Sequence, residues 1–260
     1  MNIKYEEILN HADLNGFEPH QVVRILGLIF ETSRESGNII DLRKGLDFSE
    51  KQNLDKFQDH DRMIFHYNVA NGWSYLQMLT QKLNSTKFWE FEFLELEKQI
   101  INLRLALKYS ANISDNFNKS QILTNLGNLF SQIGRFSEAQ SFWQLAVEAT
   151  PDFPMAIGNI GFGLVNYAKT LYDIGQQSLF FKIAYKYLRQ AIELDLYKEA
   201  KESFRNLIKD LESRFNKEQL CEIPDLTDYK IGKSKSEKLY RKWCLKNRLF
   251  LNPLKGEFRP

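Results

Sequence analysis

One stretch limits the folds open to this chain more than any other. Residues Ser120 to Phe153 read SQILTNLGNLFSQIGRFSEAQSFWQLAVEATPDF and carry two amphipathic helical patterns in 34 residues. Small side chains stand where two helices must approach, at Gly127, Ala139 and Ala146. Bulky apolar ones, Leu123, Leu126, Phe130 and Trp143, fill the space between. Pro151 follows the second pattern, where a residue without an N–H ends a helix.

The stretch resembles a tetratricopeptide repeat (TPR), whose eight signature positions it matches in order and spacing. The resemblance implies an all-α, TPR-like α-α superhelix, a right-handed solenoid of antiparallel helix pairs that presents a concave surface. We expect that domain over residues 1–222, with repeats near 19–52, 63–112, 120–153 and 154–198, a capping helix at 197–216, and a linker and basic C-terminal tail at 223–260.

Other segments fit this frame. A short helix is expected at Lys4–Leu14. The VVRILGLIF run after Pro19 and a helix near Ile39–Phe48, separated by Gly37–Asn38, read as a degenerate repeat with Gly27 and Gly45 near its small positions. Asp59 or Asp61 is placed to cap the next helix. There HYNVANGW at 66–73 aligns with LTNLGNLF at 123–130 and IGNIGFGL at 157–164.

The second and fourth repeats are enlarged at their tips. Trp89, Phe93, Leu96, Ile100, Leu103 and Leu107 recur at helical spacing and predict one long helix over Thr86–Tyr109. From Gly161 to Ala184 apolar periodicity continues on both sides of Gly175, so both helices are expected to lengthen by a turn or more. Ala200, Phe204, Leu207, Ile208, Leu211 and Phe215 line one face of the expected cap, with charges opposite.

The composition is ordinary for a soluble chain, with 43% apolar and 26% charged residues. Two cysteines, Cys221 and Cys244, lack metal-ligand spacing and read as free thiols in a reducing compartment. The acid-bearing N-terminus does not read as a secretory signal, and no run of apolar residues is long enough to span a membrane. A cytoplasmic protein without cofactors is expected.

Recurring asparagines supply the candidate site. Asn68, Asn125 and Asn159 each precede one apolar and one small residue. The TPR resemblance places them on the inner curve, with Asn71, Asn128 and Asn166 near them. A carboxamide both donates and accepts, so such a ladder suits the backbone of an extended peptide. The same asparagines equally suit hydrogen bonds between neighbouring helices. Neither His11, His20, His60 nor His66 pairs at the spacing of a helical metal site, and His66 is expected to pack between helices. Nucleophile elbows, phosphate loops and dinucleotide fingerprints are missing, and the acidic residues from Glu90 to Glu97 read as a solvated face. We expect a non-catalytic scaffold that binds a protein or peptide.

The tail differs from the body. Residues 230–260 hold ten Lys or Arg and two acids, a charge of +8, which leaves −6 for residues 1–229. Arg241, Lys242, Lys246 and Arg248 interleave with Trp243 and other aromatics, a pattern suited to phosphates and unpaired bases. A positively charged extension that docks on an acidic body is the other reading. YRKWCLKNRLFLNPL at 240–254 also resembles the junction at which bacterial TPR-like regions lead into a HEPN-type ribonuclease domain. That resemblance implies the scaffold portion of such a protein, a toxin or phage-defence component, without the catalytic helical bundle. Arg62 and His66 are one residue too close for its Arg–His motif and lie within a repeat helix.

Overall fold

A computed structural model describes residues 17–84 and 94–215 of the chain. Among the described residues the regular structure is nine α-helices and one short 3-10 turn. The all-α expectation therefore holds. The described helices divide into two compact units, with the boundary between Pro151 and Asp152.

The first unit contains α1 (Pro19–Ser36), α2 (Ile39–Glu50), the 3-10 turn Leu54–Lys56, α3 (Asp59–Asn84), α4 (Leu94–Ser110), α5 (Asn116–Gln132) and α6 (Phe136–Ala149). The second contains α7 (Pro154–Thr170), α8 (Ile174–Glu193) and α9 (Lys198–Arg214). Helices pack chiefly against their neighbours in sequence, as hairpins, which is the organisation of a helical-repeat protein.

Two residues make the first hairpin turn. Gly37 adopts the left-handed conformation at φ 69° and closes α1, with Asn38 N–H donating to Ser33 O at 2.9 Å. Asn38 then opens α2, its Oδ1 accepting from Asp41 N–H at 3.2 Å. Phe30, 1% exposed, lodges between two glycine faces. A Cβ on Gly45 of α2 would stand 2.9 Å from its ring, and one on Gly72 of α3 2.8 Å. Glycine therefore lets three helices close on one large side chain whose burial is worth about 2–3 kcal/mol.

The 34-residue stretch folds as its pattern suggests. Trp143 of α6 is 1% exposed and lies against Gly127 of α5, where a methyl would enter the indole ring. Ala139 and Ala146 are fully buried. Ser120 Oγ donates to Ala146 O at 2.9 Å and joins the start of α5 to the end of α6, so the pair is antiparallel.

The enlarged hairpins bear out some expectations and correct others. Asp59 and Asp61 do not cap α3. Arg62 N–H bonds to Gln58 O, and both aspartates lie inside the first turn, where they complement the positive helix end. α3 runs to Asn84, well past the repeat's usual length. The predicted start of α4 at Thr86 falls outside the described residues. The buried stripe of α4 is Leu96, Gln99, Leu103, Ala106 and Ser110, so Ile100 and Leu107 sit one position off the closest approach to α3. In the second unit α7 runs nine residues past Gly161, where α5 runs five past Gly127. α8 starts ten residues before Ala184, where α6 starts three before Ala139. Both helices lengthen, as expected. Their break lies at Leu171–Asp173, and Gly175 falls inside α8 because Asp173 Oδ1 caps it, accepting from Gln176 N–H at 2.7 Å.

α9 buries Ala200, Phe204, Ile208 and Leu211 and leaves its charged side to solvent. The Phe204 ring occupies the space that a side chain at Gly158 of α7 would need. Tyr185 OH donates to Glu212 Oε1 at 2.8 Å and ties α8 to α9. The expected helix at Lys4–Leu14, the segment from Thr86 to Phe93, both cysteines, the linker and the basic tail lie outside the described residues.

Candidate functional site

In the first unit the first helices of three successive hairpins, α1, α3 and α5, exchange polar contacts. Asn68 Nδ2 donates to Val23 O at 3.0 Å, from α3 to the backbone of α1. One turn along α3, Asn71 Oδ1 accepts from Asn125 Nδ2 of α5 at 3.3 Å. Tyr67 reaches the carboxamides of both Asn71 and Asn125. A further turn along, Tyr75 OH donates to Glu31 Oε2 of α1 at 3.0 Å. Arg34 bonds Glu31 at 2.5 Å and stacks over the Tyr75 ring, 5.3 Å from its centroid.

The i, i+4 spacing of Tyr67, Asn71 and Tyr75 explains why the three share a face of α3. Burial pushes both phenols above their ordinary value of 10, and for Tyr75 the charge of Glu31 adds to it. Both rings thus stay protonated hydrogen-bond donors across the physiological range.

The six candidate asparagines do not share one environment. Asn71 and Asn125 meet on the half-exposed face beside Tyr67. Asn68 spends its amide on the α1 backbone and so joins helices. Asn128 turns into its own hairpin, where its Oδ1 accepts from Trp143 Nε1 at 3.0 Å. Asn159 and Asn166 belong to the second unit, the first buried at 9% exposure and the second exposed on α7. The tail residues Arg241, Lys242, Trp243, Lys246 and Arg248 lie outside the described residues.

Sequence reading did not single out Tyr67, Tyr75, Glu31 or Arg34. The tyrosines recur two turns apart on α3, but nothing local marks the carboxylate that Tyr75 meets on another helix.

His66 is 7% exposed between α3 and α4, as expected for a packing residue. Asn102 donates its Nδ2 to Lys98 O at 2.9 Å, so its Oδ1 accepts from His66 Nδ1–H, also at 2.9 Å. The ring stacks on Tyr109 at 5.7 Å between centroids. Burial lowers the His66 pKa, and nearby Arg62 lowers it further, against the raising effect of the hydrogen bond that His66 donates to Asn102. Arg62 itself fastens the 3-10 turn, donating to Leu54 O at 3.0 Å. Among the described residues no three His, Cys, Asp or Glu side chains come together as a metal site. None of the described helices is long and apolar enough to cross a membrane.

No family model matches the chain, and no curated protein is significantly similar to it.

Proposed function

We propose that the chain is a non-catalytic scaffold that binds an extended protein segment along the face formed by α1, α3 and α5. The observation that carries this reading is the Tyr67–Asn71–Asn125 cluster. Three half-exposed groups from two successive hairpins meet there, and each keeps hydrogen-bonding capacity beyond the bonds they share. An extended backbone presents alternating N–H and C=O groups that such carboxamides match. Panning a displayed peptide library against the intact chain tests the reading. Selected peptides should bind wild type and a chain lacking 230–260 alike, and should lose about tenfold on Asn125→Ala, the equivalent of one lost hydrogen bond. Equal binding to Asn125→Ala would refute it.

One observation favours a second reading, a nucleic-acid-associated portion of a HEPN-type ribonuclease system. Residues 17–84 and 94–215 together hold 22 Lys or Arg and 22 Asp or Glu. The acidic excess expected to receive the tail is therefore not on the described helices. An RNA affinity that falls steeply with salt and disappears on removal of 230–260 would support this reading. Salt-independent binding, or none, would refute it.

A further inference from the structure

We infer that the α1–α3–α5 face takes a protein segment whose own side chains are uncharged; this rests on the scaffold reading above. The ground is where charge is missing. From Met63 to Gln81, α3 has no Asp, Glu, Lys or Arg. From Ser120 to Gln132, α5 has none either, in a chain that is 26% charged overall. The partner helix α4 carries five within 17 residues.

Burial does not account for the difference. On the side of α3 that carries Tyr67, Asn71 and Tyr75 are partly exposed, and Met78 is 47% exposed. These positions have access to water, yet they carry an amide, a phenol and a thioether. A surface that is to be covered must shed its water, and an ion sheds water at far greater cost than an amide does. The centres of protein interfaces are accordingly poor in charge and rich in tyrosine and methionine.

The charge next to this face is already matched. Glu31 receives both the Arg34 guanidinium and the Tyr75 hydroxyl. Along α3 and α5 a carboxylate or ammonium on the incoming segment would meet carboxamides and phenols, and on α1 the Glu31 and Arg34 charges already pair with each other. A nucleic acid needs several cations to replace its condensed counterions, and α3 and α5 supply none over these spans.

The test pans the full chain against a displayed library of random dodecapeptides and measures synthetic winners in rising salt. From about 0.1 M to about 1 M the screening length falls from about 10 Å to about 3 Å, which removes most ionic attraction. Winners should lack Asp, Glu, Lys and Arg in their shared core, and their Kd should move less than about threefold across that range. Asn71→Asp keeps the acceptor for Asn125 but adds a charge. Met78→Lys adds one at an exposed position that tolerates it. Each should weaken winners by about tenfold or more at an unchanged circular dichroism spectrum. Charged winners that lose more than tenfold in salt yet still discriminate against Asn71→Asp would overturn this inference and leave the scaffold reading standing. A single-stranded oligonucleotide that displaces the winners would overturn it too. Winners indifferent to both variants, or no winners, would remove both readings.

Discussion

Replacing Gly127 by alanine sets two opposed effects against each other. Alanine favours a helix interior by about 1 kcal/mol. The added methyl would stand 2.5 Å from Trp143 Cδ1, inside any ordinary contact. Trp143 has little room to yield, because it is 1% exposed and its Nε1 donates to Thr124 O at 3.2 Å and Asn128 Oδ1 at 3.0 Å. Overpacking of this kind costs about 1–3 kcal/mol, and each strained hydrogen bond adds up to about 1 kcal/mol. Set against the propensity gain, these costs leave Gly127→Ala losing about 2 kcal/mol, within a range of about 0–4 kcal/mol. Urea denaturation followed by circular dichroism reads this directly. In a Trp143→Leu chain the indole's volume is free, and the same substitution should turn stabilising, by up to about 1 kcal/mol. A stabilising Gly127→Ala in the wild-type background would refute the argument, because Trp143 would then not be seated against that glycine.

Other expectations can be checked in the same way. His66 has a folded-state pKa below its ordinary 6.5, so the unfolded chain takes up the proton first. Its contribution to stability is therefore complete above about pH 6.5 and is lost as the pH falls from there through the folded pKa; His66→Gln should flatten the urea midpoint over that window, and an imidazole titration at or above 6.5 by NMR would contradict it. Asn68→Ala removes the bond from α3 to Val23 O and should cost about 1 kcal/mol. The same variant should leave selected peptides bound, and a loss of binding at unchanged stability would place Asn68 in the site instead. Asp173→Ala removes the α8 cap and should cost about 1 kcal/mol in urea denaturation; no change would mean that the turn at Leu171–Asp173 holds without it.

What could be read in advance was what depends on size at helical spacing. Gly127 with Trp143, and Gly45 near the first hairpin's crossing point, announce themselves because a missing side chain beside a large one has few other uses. On α4 the periodicity places Leu96 and Leu103 in the core correctly but misplaces Ile100 and Leu107 by one position, for a related reason. Periodicity counts apolar residues, but the closest approach to α3 accepts small or self-satisfied ones. Ala106 fits there by size, Ser110 Oγ donates back to Leu107 O, and Gln99 pairs with Gln77 across the hairpin at 2.7 Å. Periodicity around Gly175 foretold the lengthening of both helices but not their break, which the Asp173 cap sets two residues earlier.

The asparagines were legible as a recurring set, but their partners were not. The direction of a carboxamide depends on the register of the helix facing it, and no local pattern records that register. Asn68 therefore turned to a backbone carbonyl, Asn128 to an indole and Asn71 to Asn125, from nearly identical surroundings in sequence. The face around Tyr67 was visible only as charge left out, a signal that appears when α3 is compared with its hairpin partner α4.

The lengthened hairpin of the second unit has a practical use. Its two helices grow together and end at Tyr172, whose side chain is completely exposed. A fluorophore or a short epitope grafted at that apex would stand clear of the packed base where Gly161 meets Leu188. The position thus offers an attachment point for immobilising or labelling the protein while its hairpin packing stays intact.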